Sequence, residues 1–546
     1  MTFPLAPFAP RSSHRGMVTA ADQLAANAGV RALEAGGSAA DAAVAAAAVM
    51  AVTSPHLCGL GGDLLAMVSV PGAEPMALLS IGRAGAGADA AALRAGGHPS
   101  MVVRGDYNSV PVPGAVDGWL ALHGRWGRLP LSDVLAPAID LAEQGFAASL
   151  LLSLASHLIH AVPGAQELCP NGPLQPGATV RLPGVARTLR AIGDDGRDGF
   201  YGGEFGRELQ RVGHGMYATA DFERSLAQWG DPLRLEVWGH ELWTVPPPSQ
   251  GYLTLASSWI AERAGLGVDS NDPAWAHLIV EASRAAGHDR PSVLFDGADG
   301  SALLDEARLA EAAGRISLER AAPSDVVVPV DGDAAAVPRF GEGDTTHLCA
   351  IDADGLGISL TQSNALDFGS HLVAGSTGIF LHNRGVGFSL VPGHPAELAP
   401  GRRPPHTLSP MLVTQPGGPL THLVGAMGGD GQPQILLQLL ARMLRANQDP
   451  ATAITGARLT LDAPSAGPFR LWWGDDLGVL VEGHAPAPWN AGLTARGHDV
   501  RPIADFDPVA VGCAQIIEVV PGLPQTERQF VGASDPRSPD CATAVR

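Results

Sequence analysis

Asp344-Thr345-Thr346-His347 lies deep in a 546-residue chain, and the run from Thr345 reads TTHLCAIDADGLGISLTQSN. A threonine hydroxyl is a poor nucleophile at neutral pH unless a base stands beside it, and the nearest possible base is its own α-amino group, once freed. That amine has a reference pKa of about 8, close enough to neutrality for general-base work. The residues therefore raise the chemistry of a chain that cuts itself between Asp344 and Thr345 and then uses Thr345 for acyl transfer. Two β-rich runs flank Asp354-Gly355, a strong short-range hairpin signal. A two-residue turn there pairs Ala353 with Leu356, Ile351 with Ile358, Thr346 with Ser363 and Thr345 with Asn364. A slip of a residue or two still leaves 361–364 beside Thr345, with Ser363 able to fix its rotamer.

Acyl transfer also needs donors for a developing oxyanion. Gly428 and Gly429, in VGAMGGDG between an apolar strand and a helix opening at Pro433, offer backbone N–H groups with no side chain in the way. An ordinary hairpin and a plain glycine turn would show the same residues, so neither motif is specific alone.

Other chemistries are excluded by what is missing. All 35 positive residues are arginine, so P-loop, Schiff-base and pyridoxal-phosphate chemistry lack their lysine. There is no G-x-S-x-G, no H-E-x-x-H and no EF-hand loop. A net charge of −20 argues against nucleic acid as a partner. The five scattered cysteines form no C-x-x-C pair, which fits a reducing compartment and suggests neither zinc nor disulfides. Cys58-Gly59-Leu60-Gly61-Gly62-Asp63 precedes a strand instead of following one, which makes it a turn and not a dinucleotide loop.

The elements that must position these residues are legible in outline. A helical pattern over 19–34 ends at Gly36-Gly37, and Ser38 with Asp41 caps a second, alanine-rich helix too short to span a bilayer. Strands are expected over 64–70 and 241–245, and helices from about Leu253, over 276–286 and over 433–445. The stretch 300–343 reads as an exposed linker ending at Asp344. The N-terminus shows no secretion signal, so a cytoplasmic location and no membrane partner are expected.

In combination these segments resemble the γ-glutamyltransferase (glutathione hydrolase) family of N-terminal-nucleophile hydrolases, almost end to end. The runs carrying the resemblance are AADQLAANAGVRALEAGGSAADAAVAAA at 20–47, SPHLCGLGGD at 54–63, PVPGAVDGW at 111–119, PPPSQG at 246–251, TTHLCAIDADG at 345–355, FGSHLVAGSTGI at 368–379, MGGDG at 427–431 and GASDPRS at 532–538. The resemblance implies an α+β fold, a four-layer αββα sandwich. It also implies a precursor cut into a large subunit (1–344) and a small subunit (345–546) that stay together as a heterodimer, with no metal or cofactor.

Carried over residue by residue, Thr345 stands at the nucleophile, Ser363 at the second threonine, Gly428 and Gly429 at the oxyanion hole, and Arg83 at the arginine holding the substrate carboxylate. The pocket departs from the family. The asparagine after the second threonine becomes Ala365, with Asn364 adjacent. The residues that grip a glutamyl amine fall on Arg384 and Gly387, after Asn383, and the serine pair on the substrate falls on His406 and Thr407. An arginine in place of an acid disfavours an ammonium group. The expected substrate is therefore a small anionic amide, γ-glutamyl or related, resolved mainly by water. The NRG and PHTLSP patterns look like the branch that includes cephalosporin-acylase-like proteins and oxamate amidohydrolase.

Overall fold

The computed structural model describes residues 9–322, 345–463, 476–520 and 527–546. Asp344, and with it one side of the expected scissile bond, lies outside the described residues. So do residues 323–343 of the stretch read as a linker; in its described part the chain is helical and one apolar face is buried instead of exposed. Helices Gly300–Leu303 and Glu306–Gly314 bury Leu303, Leu309 and Ala312 in the same apolar core as helix Tyr252–Arg263.

Two seven-stranded sheets stack face to face. One runs, edge to edge, through Ala542–Val545, Gly16–Ala20, Thr346–Asp352, Gly357–Ser363, Asp63–Ser69, Met76–Ser80 and Ala227–Gly230. The other runs through Arg11–Ser13, Phe530–Ser534, Ala514–Val519, Leu420–Ala426, Met411–Thr414, His240–Thr244 and Leu233–Val237. Between them lies an apolar seam that includes Met17, Met67, Cys349, Ile351, Leu412, Leu423, Ile517 and Phe530. Helices Gln23–Glu34, Ala39–Thr53 and Ala115–Trp126 pack on the first sheet with Leu131–Gln144 and Pro183–Asp195 outside them, and Tyr252–Arg263 and Gln432–Leu440 pack on the second with Pro273–Gly287 outside them. This is the αββα sandwich.

Local chemistry explains the elements. Ser38 accepts from the amides of Ala40 and Asp41 while Asp41 accepts from the Ser38 amide, a full capping box, which satisfies N–H groups a helix start otherwise leaves unpaired. All fifteen residues of that helix are buried, so its alanines let it lie close to the sheet. The first helix begins later than its pattern suggests: Thr19 and Ala20 belong to strand Gly16–Ala20, and Asp22 caps the helix.

The hairpin register differs by one residue from the two-residue-turn expectation. Ile351 pairs with Gly357, Ala350 with Ile358 and Thr346 with Gln362. The cause is a three-residue loop over Ala353, Asp354 and Gly355. Asp352 Oδ1 accepts from the Gly355 and Leu356 amides, and Gly355 takes φ 91°, a conformation glycine adopts without strain. The same register, continued, sets Ser363 rather than Asn364 opposite Thr345.

Candidate active site

Because side chains alternate along a strand, the hairpin sorts its residues into two faces. Leu348, Ala350, Ile358 and Leu360 face the helices, and Gln362 reaches Ala47 O at 2.8 Å and accepts from Trp119 Nε1 at 3.1 Å. The opposite face is polar: Thr345 Oγ1 is 3.0 Å from Ser363 Oγ, and His347 Nδ1 is 2.8 Å from Thr361 Oγ1. This column looks into the seam between the sheets. Ser359 Oγ donates to Val424 O at 3.1 Å, and a Cβ on Gly425 would collide with the His347 ring. Strand Leu420–Ala426 therefore runs past the hairpin toward the end where Thr345 and Ser363 sit, and delivers the turn Met427–Gly431 there.

That turn has the features of an anion cradle. Gly428 and Gly429 take φ 135° and 51°, open to glycine, and neither amide is taken by a backbone acceptor among the described residues. Helix Gln432–Leu440 follows directly, so its positive end backs the turn. The turn is braced from behind: the Met427 amide donates to Cys513 O at 2.8 Å, and Arg458 donates to the carbonyls of Val511 and Gly512 while its guanidinium lies 2.6 Å from Asp535.

Arg384 joins Ser363 to Thr407. Its guanidinium donates to Ser363 Oγ at 3.3 Å and to Thr407 Oγ1 at 2.8 Å, and the residue is 1 % exposed. Burial pushes its pKa down to about 10, which leaves it charged at neutral pH. Behind it stands Asp63, whose Oδ1 accepts from the amides of Gly82 and Gly114 and whose Oδ2 lies 3.2 Å from His406 Nε2 and 3.5 Å from His382 Nδ1. Burial raises the Asp63 carboxyl, but His382, His406 and Arg384 more than reverse this and hold it below the usual carboxylate range. Burial, with Arg384 nearby, drives His406 down to about 3, so its ring is neutral at physiological pH.

The remaining candidates fall in distinct places. Arg83 lies 3.5 Å from Asp296, which also pairs with Arg403, and donates to Gly401 O at 2.9 Å. Asn364 Nδ2 donates to Pro55 O, and Asn383 ties Leu366 N to Val103 O, so both amides brace the loop after Ser363. The structure thus brings Thr345, Ser363, Arg384 and Thr407 into one hydrogen-bonded chain, sets His406 behind it, and keeps Arg83, Asn364 and Asn383 on separate contacts.

Sequence reasoning missed three parts of this cluster. Gln250, in PPPSQG, donates from Nε2 to both Thr407 O and Gly429 O at 3.1 Å, linking the two loops. Asp430 lies 2.8 Å from Arg290, both nearly fully buried. Asp63 closes the glycine run of 58–63, which the sequence presents as a turn and as part of the family resemblance but not as a charge behind Arg384. Gly61 and Gly62 are required because a Cβ on Gly62 would lie 2.5 Å from Ser363 O and one on Gly61 would strike Phe380 O.

A hairpin that carries Thr345 and Ser363 on an αββα sandwich, with a glycine turn delivered by the opposing sheet, is the architecture of the N-terminal-nucleophile hydrolases. Residues 25–545 match the gamma-glutamyltranspeptidase family, and the chain belongs to it. It is similar to the oxamate amidohydrolase proenzyme of Klebsiella pneumoniae subsp. pneumoniae, 34% identical over 96% of this chain and 98% of that protein. It is also similar to the glutathione hydrolase-like YwrD proenzyme of Bacillus subtilis, 32% identical over 97% and 98%. Among solved structures, the cephalosporin acylase from Bacillus halodurans superposes with a TM-score of 0.86 at 28% identity, over 100% of this chain and 98% of that one. The chain is thus an enzyme, an amide hydrolase of this family.

Proposed function

We propose that the chain is a precursor that cuts itself before Thr345 into fragments 1–344 and 345–546, and that Thr345 then hydrolyses a small anionic amide through an acyl-enzyme. In this reading the freed Thr345 amine takes the hydroxyl proton, Oγ1 attacks the acyl carbon, and the Gly428 and Gly429 amides hold the oxyanion. The amine returns the proton to the leaving amide nitrogen, and a water molecule resolves the ester. The proenzyme names of the relatives support the processing step.

The observation that carries the substrate class is the Thr345–Ser363–Arg384 chain. A buried guanidinium two hydrogen bonds from the nucleophile suits an acyl group whose carboxylate lies next to, or one carbon from, the scissile carbonyl. In a γ-glutamyl group the α-carboxylate is several bonds further off and carries an ammonium neighbour. The two buried carboxylates around the site are already engaged, Asp63 by His406 and His382 and Asp430 by Arg290, which disfavours that ammonium. Short oxo-acid or dicarboxylic monoamides, oxamate among them, fit better than glutathione; Arg83 gives longer acyl chains a second cation.

The test is a denaturing gel with mass spectrometry, followed by a substrate panel on the processed enzyme. Two fragments breaking before Thr345, an intact and inactive Thr345→Ala chain, and turnover of oxamate above that of γ-glutamyl-p-nitroanilide are expected. An unbroken wild-type chain that still hydrolyses amides would sink the nucleophile assignment, and a preference for the γ-glutamyl substrate would sink the acyl-group assignment.

A further inference from the structure

Far from Thr345 in sequence, three metal-ligating side chains meet in the interior. His277 and Glu281 stand one helical turn apart on Pro273–Gly287 and so share a face. His498 approaches from the turn between helix Pro488–Ala495 and strand Val500–Ile503. The three residues are 0, 2 and 7 % exposed. His277 Nδ1 is 2.8 Å from His498 Nε2, and the ligand atoms of all three lie within 4.8 Å of one another.

The surroundings orient these atoms as a metal site requires. His277 Nε2 faces Ser317 O at 2.7 Å, so that nitrogen carries the proton and Nδ1 presents its lone pair to the cluster. A ring N–H anchored on a backbone carbonyl is the outer-shell arrangement that fixes a metal-bound imidazole. Glu281 is held likewise: Oε2 accepts from the Ala322 amide at 2.9 Å, and Oε1 accepts from Arg284 at 3.0 Å with a lone pair to spare.

We infer that His277, Glu281 and His498 form a structural site for a borderline first-row divalent cation, zinc in the first instance, with water completing a tetrahedron. Two imidazoles and one carboxylate suit zinc, whereas magnesium and calcium demand oxygen-rich sets. Binding breaks the His277–His498 hydrogen bond. The His498 proton moves from Nε2 to Nδ1, so each imidazole gives one lone pair and no net proton is released. The ion ties helix Pro273–Gly287 to the 317–322 strap and to the His498 turn. On the reading that the chain is cut before Thr345, it joins the two fragments.

The test uses full-length protein stripped with a chelator and titrated with cobalt(II), whose four-coordinate complexes absorb strongly in the visible. One equivalent should bind, zinc should displace it, and the band should vanish in His277→Gln and His498→Gln. Arg284→Met keeps every ligand and removes a neighbouring cation, so it should bind cobalt on the order of tenfold more tightly. The uncut Thr345→Ala chain should bind as the wild type does, which separates failure of this site from failure of the cleavage reading. A wild-type chain that takes up no cobalt, or histidine variants that take up as much, overturns the inference; so does Arg284→Met binding no better than wild type.

Discussion

Arg384 is the residue on which the proposed specificity turns. It is a buried charge that donates to Ser363, beside Thr345, and to Thr407, and Asp63 behind it supplies the opposite charge. A carboxylate brought to this guanidinium exchanges water for a charge-assisted, partly desolvated contact, and removing one partner of such a pair costs about 2–5 kcal/mol. Arg384→Met should therefore lower kcat/KM for short anionic amides on the order of 10²-fold, mostly through KM, and should affect amides with an uncharged acyl group far less. Parallel kinetics on one anionic and one neutral substrate check this; an equal loss on both would show that Arg384 only shapes the site. Ala365 tells a related story. It sits at φ 80°, which an alanine rarely adopts, and its amide donates to Ser363 Oγ at 2.8 Å. The backbone there bends to serve the serine.

At the scale of elements, the site is a meeting of loops held by two stacked sheets, and Gln250 is the tie between them. It follows strand His240–Thr244 and bridges Thr407 O and Gly429 O from within the protein. Gln250→Met keeps the side chain's length but removes both donors; Thr407 O keeps Ser409 Oγ and Gly429 O keeps the Gln432 amide, so the loss is about 0.5–1.5 kcal/mol per hydrogen bond. The turn carrying Gly428 and Gly429 should relax, so kcat should fall about ten- to a hundredfold while KM changes little. Steady-state kinetics beside a melting curve decide it: an unchanged kcat means that the Cys513 and Arg458 braces hold the turn alone.

The contrast between what was and was not legible is physical. Asp354-Gly355 announces a hairpin because its chemistry is local, and Ser38 with Asp41 announces a helix start for the same reason. The register slipped by one because Asp352 caps the loop with its side chain, a choice of turn type that Asp-Gly alone does not make. The Thr345 and Ser363 pair was legible through the hairpin, and Arg384 and Thr407 through family resemblance. Gln250, Asp63 and the Arg290–Asp430 pair were not, since the partners of Gln250, the two members of the pair and the histidines beside Asp63 lie more than a hundred residues apart and only the sandwich brings them together.

For the whole molecule, the cost of a polar interior is a dependence on pH. His56, His347, His406 and His422 are buried, and burial pushes each down to about 3; neither ring nitrogen of His56 has a hydrogen-bond partner among the described residues. In the unfolded chain each returns to about 6.5. Below that value the unfolded state takes up protons that the native state refuses. The stability these residues contribute is thus complete above about pH 6.5 and is lost as pH falls toward 3, at about 1.4 kcal/mol per pH unit for each histidine. Asp22, Asp117 and Asp352 act in the opposite sense because burial raises their carboxyls, so the native state binds their protons first. The histidine effect sets in near pH 6.5, before the ordinary carboxylate range is reached, and is therefore read between about pH 6.5 and about pH 5. Urea unfolding across this interval should show stability falling steeply on acidification. His422→Gln keeps a polar partner for Thr421 Oγ1, 3.0 Å from the ring in the native chain, and should flatten the slope by about one proton, or about 1.4 kcal/mol per pH unit. A stability level from neutrality to about pH 5, or an unchanged slope in the variant, would mean that these rings take up protons in the native state by opening to water.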